Sequence, residues 1–191
     1  MTTPTLNIAQ ICPSTSALGP GKRFVVWVQG CPFHCPACVA PDWIPFKTAT
    51  PVPVENLARS IISQPGVDGV TLSGGEPMMQ AGQLARLVQL VRDQRPELSV
   101  IVFSGFTLPQ LVWTEARELL SAIDLLVDGQ YVQSLNDNRG LRGSSNQQFH
   151  FFTDRLLPFR DEIVNQRFNL EFHLQDDGVL MAGIPPQGFS W

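Results

Sequence analysis

Residues 23–38 read RFVVWVQGCPFHCPAC, an apolar run that passes straight into three cysteines, Cys31, Cys35 and Cys38, spaced C-x3-C-x2-C. The run 23–30 is rich in Val and aromatic residues, as a strand covered on both faces is, and it predicts the first core strand. The same kind of run returns three times downstream, at 69–75 (GVTLSGG), 99–105 (SVIVFSG) and 122–129 (AIDLLVDG), each closing on a glycine-bearing turn. Between these runs the period changes to that of a helix. TPVPVENLARSII carries Leu57, Ala58, Ile61 and Ile62, and GQLARLVQLVRDQ carries Leu84, Leu87, Val88 and Val91 on one face. Thr107-x-x-Gln110 predicts a capping box that opens a further helix bearing Leu108, Leu111, Val112 and Leu119.

Strands alternating with helices imply an α/β fold with parallel core strands and right-handed crossovers. A complete eightfold barrel needs ~250 residues. The 191 residues here hold four units, which predicts a partial (βα) barrel. After Tyr131 comes a polar loop, SLNDNRGLRGSSNQQ, then FHFFTD. LEFHLQDDGVLMAGI alternates across an Asp-Gly turn and predicts a C-terminal β-hairpin, expected to pair at a sheet edge. The closing IPPQGFSW is expected to be loosely held. The whole reads as one domain over 1–191, with a core at about 18–150 and an extension at 151–191. Ligands of parallel sheets bind at the strands' C-terminal ends, where the cysteine loop, SGGEP, SGFT and VDGQ all fall, so these four loops are expected to build one site.

A net charge of −4 and 16% charged residues give no broad basic footprint, which argues against a nucleic-acid partner. No run approaches the ~20 apolar residues of a membrane span. MTTPTLNIAQICPS has neither a basic nor a long apolar export region, so a cytoplasmic location with reduced cysteines is expected. Clustered thiols there are metal ligands or catalytic groups more often than disulfides. Three thiolates can hold three irons of a cubane cluster and leave the fourth open for a small molecule. They can equally hold zinc, with His34, Cys12 or His150 as fourth ligand. The spacing alone leaves both open.

GPGKRFVVWVQG before the cysteines, with SGGEP on the loop after the next strand, resembles the radical S-adenosylmethionine superfamily. GPG, Trp43, LVDGQY and above all LRGSSNQ resemble its glycyl-radical-enzyme activases, in particular the activating subunits of anaerobic ribonucleotide reductase, over roughly residues 18–150. The resemblance implies a [4Fe–4S] cluster on Cys31, Cys35 and Cys38, with S-adenosylmethionine chelating the open iron. An electron from a donor such as flavodoxin or ferredoxin would cleave the S–C5′ bond, and the 5′-deoxyadenosyl radical would take hydrogen from a glycine of a large partner subunit. It further implies that Gly74, Gly75, Glu76 and Pro77 bind the cofactor, with Glu76 near its ammonium end. Ser104 and Asp128, on the adjoining strand ends, are further cofactor candidates. The resemblance also makes Arg142, Ser144, Ser145 and Asn146 a candidate substrate or partner loop. The sequence departs from the family at Ala37, where many members carry an aromatic residue before the third cysteine. Phe33 either takes up that stacking or packs. His34 reads as a solvated loop residue or a donor to the cluster, and Cys12 as a small buried side chain. Two other functions remain open: a radical enzyme acting on a small molecule or peptide with the hairpin as its cover, and a zinc-stabilised binding module.

Overall fold

All six residues of strand β2 (Arg23–Val28) are buried. The computed structural model describes residues 4–167, 169–176 and 178–189, and β2 lies inside a seven-stranded sheet ordered β3-β1-β2-β4-β5-β6-β7. β4 (Gly69–Gly74), β5 (Ser99–Ser104) and β6 (Leu125–Asp128) follow it in parallel. β1 (Thr5–Thr15) flanks this set on one side, antiparallel to β2, with β3 (Thr50–Pro53) antiparallel to β1 beyond it, and β7 (Gln148–Phe151) flanks it on the other, antiparallel to β6. Helices α1 (Val54–Ser63), α2 (Ala81–Gln94) and α3 (Thr114–Ala122) connect the parallel strands. The fold is therefore mixed α/β around a partly parallel sheet. Among the described residues no helix is long and apolar enough to cross a membrane.

Alternation along the strands builds two cores. Phe24, Val26, Leu72, Val100, Val102 and Leu126 face Leu57, Ile61, Leu84, Leu87, Val91 and Leu119 of the helices. Val25, Trp27, Ile101, Leu125 and Val127 face the other way and are covered by residues from the C-terminal third, including Leu141, Leu156, Ile163, Leu180 and Ala182. Arg23 lies fully buried at the N-terminal end of β2. Its guanidinium donates to Thr71 Oγ1 (2.7 Å), Ser99 Oγ (2.8 Å) and the carbonyls of Val70 (2.7 Å) and Ser99 (3.0 Å), which satisfies a charge that pairs with no carboxylate among the described residues.

The structure departs from the sequence expectations at four places. β1 precedes the predicted first strand. The capping residues Thr107 and Gln110 do pair, Gln110 Oε1 accepting from Thr107 N–H at 2.8 Å, but they close only a short turn (Leu108–Gln110), and α3 begins at Thr114. FHFFTD contributes most of β7. The hairpin forms, as β8 (Glu171–Gln175) and β9 (Gly178–Ala182), but as a separate two-stranded sheet. Among the described residues it pairs at no edge of the larger sheet. Leu180 and Ala182 instead lay it on the sheet face of Val25 and Trp27, opposite the face that α1, α2 and α3 cover. In the closing segment the Pro185 carbonyl accepts from Asn136 Nδ2 (3.1 Å), and residues 190–191 lie outside the described residues.

Candidate metal centre

The cysteine loop is closed at its neck. Gly30 N–H donates to the Trp43 carbonyl and Cys31 N–H to that of Ile44, both at 2.9 Å, while the buried Gln29 amide reaches the carbonyls of Asp42 (3.2 Å) and Pro45 (2.8 Å). Inside the loop, Cys38 N–H returns to the Cys35 carbonyl at 3.1 Å. That turn requires Ala37 at φ +58°, a left-handed conformation costly for a residue with a Cβ. All three cysteines are free and half-buried. Burial pushes the Cys31 thiol up to about 11, with Glu76, Cys35 and Cys38 adding to the rise and the Phe33 N–H opposing it. Cys35 is raised by burial too, against a hydrogen bond from the backbone N–H of Tyr131. Three thiolates crowded on one loop repel each other, and a bound cation reverses that penalty.

The SGGEP segment lies directly against the root of this loop. Gly75 N–H donates to the Val28 carbonyl (2.7 Å) and Glu76 N–H to that of Gly30 (2.9 Å). A Cβ on Gly75 would sit 2.4 Å from the Gly30 oxygen and 2.8 Å from that of Trp43, and Gly74, at φ +107°, would place one 2.4 Å from Val28 N. These glycines let the chain approach itself. The Glu76 side chain is only 1% exposed. One oxygen accepts from Met78 N–H and Ser104 Oγ, each at 2.9 Å, and the other from Gly105 N–H at 2.7 Å. Burial lifts its pKa to about 7, although all three bonds pull it down. Glu76 and Ser104 thus join the ends of β4 and β5, with their polar atoms turned to each other. Pro77, also buried, starts the short turn Pro77–Gln80 that leads into α2.

Phe33 packs. Its ring lies over Gly105, where a Cβ would meet it at 2.5 Å, and makes an edge contact with Phe106 (4.8 Å), which in turn meets Trp113 (5.5 Å). Asp128 is at the expected strand end but shares a face with Leu126 of the helix-side core. One of its oxygens accepts from Leu108 N–H and lies 2.9 Å from His150 Nε2, so it anchors the loop after β5. The other, Oδ1, is buried with no hydrogen-bond partner among the described residues.

LRGSSNQ folds back onto residues 129–132. Ser144 is wholly buried, and its Oγ accepts from Val132 N–H (3.0 Å). Asn146 Nδ2 donates to the Gln130 carbonyl (2.9 Å). Arg142 pairs with Asp137 at 3.0 Å and stacks over Phe149, and Ser145 is exposed. Sequence reasoning missed Gln147. Its amide donates to the Gly129 carbonyl (2.7 Å) and accepts from Gly143 N–H (2.7 Å) and Ser144 N–H (3.2 Å). Only its place at the end of the signature could have marked it.

The proposed fourth zinc ligands are engaged elsewhere or face water. His34 is exposed and His150 faces Asp128. Cys12 pairs in register with Val25, three residues or ~10 Å before the end of β2, and its sulfur lies 3.7 Å from His173 Nε2. Among the described residues, no three His, Cys, Asp or Glu side chains converge as a single ion demands. Ligands to separate irons of a cluster need not converge in that way.

Residues 17–150 match the model of the 4Fe-4S single cluster domain family. The anaerobic ribonucleoside-triphosphate reductase-activating protein of Escherichia coli K12 is 33% identical over 155 residues, covering 76% of this chain and 98% of that protein. The protein of the same name from Vibrio cholerae is 33% identical over 156 residues (78% and 99%), and that of Enterobacteria phage T4 29% over 154 (78% and 96%). Among solved structures, QueE from Escherichia coli aligns with 54% of this chain and 53% of its own at 19% identity and a TM-score of 0.43, too loose a likeness to carry an argument. The family match and the identity over nearly the full length of these relatives place the chain in the 4Fe-4S single cluster domain family, among the anaerobic ribonucleoside-triphosphate reductase-activating proteins.

Proposed function

We propose that this chain is a radical S-adenosylmethionine activase whose cysteine loop holds one [4Fe–4S] cluster and whose target is a glycine of an anaerobic ribonucleotide reductase subunit. The observation that carries the reading is the junction of the two motif loops, in which Gly75 and Glu76 hydrogen-bond to Val28 and Gly30 immediately before Cys31. Cys31, Cys35 and Cys38 would each ligate one iron. When bound, the cluster supplies the electron that cleaves S-adenosylmethionine, and the resulting 5′-deoxyadenosyl radical takes the glycine hydrogen. The chain's part is placement. Gly74 and Gly75 bring unshielded backbone beside the loop for the methionine end of the ligand. Glu76, bonded to Ser104 and Gly105, fixes that backbone and the rim of β5, and Asp128 holds the next turn through Leu108. The sheet is read as a partial barrel within one domain, open to one side for a partner's loop.

A protein target is supported by the exposed apolar side chains Val39, Phe46, Val132 and Leu135 on the loops that carry the site. Ser145, Asn146 and Arg142 complete that rim. A flavodoxin- or ferredoxin-type donor and a cytoplasmic setting follow from the reaction. The hairpin laid across Trp27 favours a second reading, a self-covered site for a small molecule or peptide. Anaerobic reconstitution tests the first claim: four irons and four sulfides per chain are expected, and alanine at Cys31, Cys35 or Cys38 removes cluster absorption and cofactor cleavage together. Stoichiometric zinc without sulfide overturns it.

A further inference from the structure

Beyond Val28, where β2 ends, polar backbone groups need partners outside the strand ladder, and three side-chain amides supply them, each carrying a donor and an acceptor. Gln80 closes the turn that follows GGEP. Its Oε1 accepts from Asn7 N–H (2.8 Å), and its Nε2 donates to the carbonyls of Asn7 (3.0 Å) and Gln29 (3.2 Å). Gln29, 5% exposed, sends its own amide the other way, to the Asp42 and Pro45 carbonyls on the arm by which the cysteine loop returns. Asn7 continues along that arm. Its Nδ2 donates to the Lys47 carbonyl and its Oδ1 accepts from Ala49 N–H, both at 2.8 Å. Gln29 N–H completes the circuit on the Asn7 carbonyl at 2.9 Å. A clamp of three amides thus joins the end of the GGEP turn to both arms of the cysteine loop.

We propose that Gln29 and Gln80 are positioning residues for S-adenosylmethionine, which hold the GGEP backbone and the cysteine loop at one spacing before the ligand arrives. The proposal rests on the reading of the cysteine loop as the place of the cluster and of GGEP as the place of the ligand's methionine end. A ligand that bridges two separate segments binds well only if they are already fixed, because ordering them on binding subtracts from the binding free energy. The hydrogen bonds of Gly75 and Glu76 to Val28 and Gly30 fix GGEP to the arm that enters the cysteine loop. Gln29 and Gln80 extend that hold to the returning arm, so the two motif loops move as one body.

The test is a titration of the anaerobically reconstituted chain with S-adenosylmethionine, read by calorimetry and by electron paramagnetic resonance of the reduced cluster, on wild type, Gln29→Met, Gln80→Met and Gln10→Met. The last is a control that removes an amide of the same sheet, one that donates to Gln175 Oε1 (3.2 Å) instead. Gln29→Met and Gln80→Met take up the wild-type complement of iron and sulfide but bind S-adenosylmethionine about tenfold more weakly. Their cluster spectrum changes on addition of the ligand only at correspondingly higher concentration. Gln10→Met keeps wild-type affinity. Gln80→Met, at a half-buried position, decides the matter if Gln29→Met does not fold. Wild-type affinity in the loaded variants, with only thermal stability reduced, overturns the proposal, as does equal weakening in Gln10→Met or a folded variant that takes up no cluster. A wild-type chain that takes up no cluster, or takes one up and binds no S-adenosylmethionine, instead overturns the functional reading beneath it.

Discussion

Glu76 places a carboxyl group among three donors with almost no water around it, and burial wins over the hydrogen bonds. Its folded pKa, about 7, stands above the unfolded value of about 4.5, so the folded state binds the proton more tightly. The corresponding stability is complete below the unfolded value and is lost as pH rises through 7. Denaturant midpoints of the metal-free protein should therefore fall between pH 5 and pH 8, and Glu76→Gln should flatten that slope. Parallel curves for the two proteins would contradict the assignment. Gly75 gives a second prediction. An alanine there must displace the carbonyls of Gly30 and Trp43, and should cost on the order of 2–3 kcal/mol in denaturant unfolding. Gly178→Ala, whose Cβ meets nothing within 4 Å, should stay within about 0.5 kcal/mol.

The hairpin shows how far sequence reading reaches. Its alternation and Asp-Gly turn are local signals, so β8 and β9 were legible. Their docking was not, because it depends on which sheet face α1, α2 and α3 leave to other elements. β1 hid for a different reason: register shifts between Ile8 and Gln10 and between Cys12 and Thr15 break the period of two, moving Leu6 and Ile8 to one core and Cys12 to the other. The cysteine triplet and SGGEP were legible because their spacing is fixed by chemistry within a few residues. The grip of Gln147 on Gly129 spans 18 residues and leaves no periodic trace. The hairpin's placement carries its own test. Leu180→Ala should cost about 2–3 kcal/mol by opening the packing over Val25 and Trp27, while Leu174→Ala, 88% exposed on the opposite face, should cost less than about 0.5 kcal/mol in the same unfolding experiment.

Taken as one molecule, the chain puts α1, α2 and α3 on one side of the sheet, its C-terminal third on the other, and its motif loops at the C-terminal ends of the parallel strands. Such a rim exposes cofactor chemistry to something that must be brought to it, and the apolar side chains of Val39, Phe46, Val132 and Leu135 offer a place for a protein to land. Glycine suits that target, because without a side chain its backbone can come close to a reactive carbon. The most direct measurement combines the reconstituted, reduced chain and S-adenosylmethionine with the large reductase subunit from the same source, and records the electron paramagnetic resonance spectrum. The account predicts a glycyl radical on the large subunit, seen as a doublet from its single remaining α-hydrogen and absent when Cys31, Cys35 or Cys38 is alanine. Robust cofactor cleavage with no glycyl radical, while a small molecule or peptide is modified instead, would contradict it.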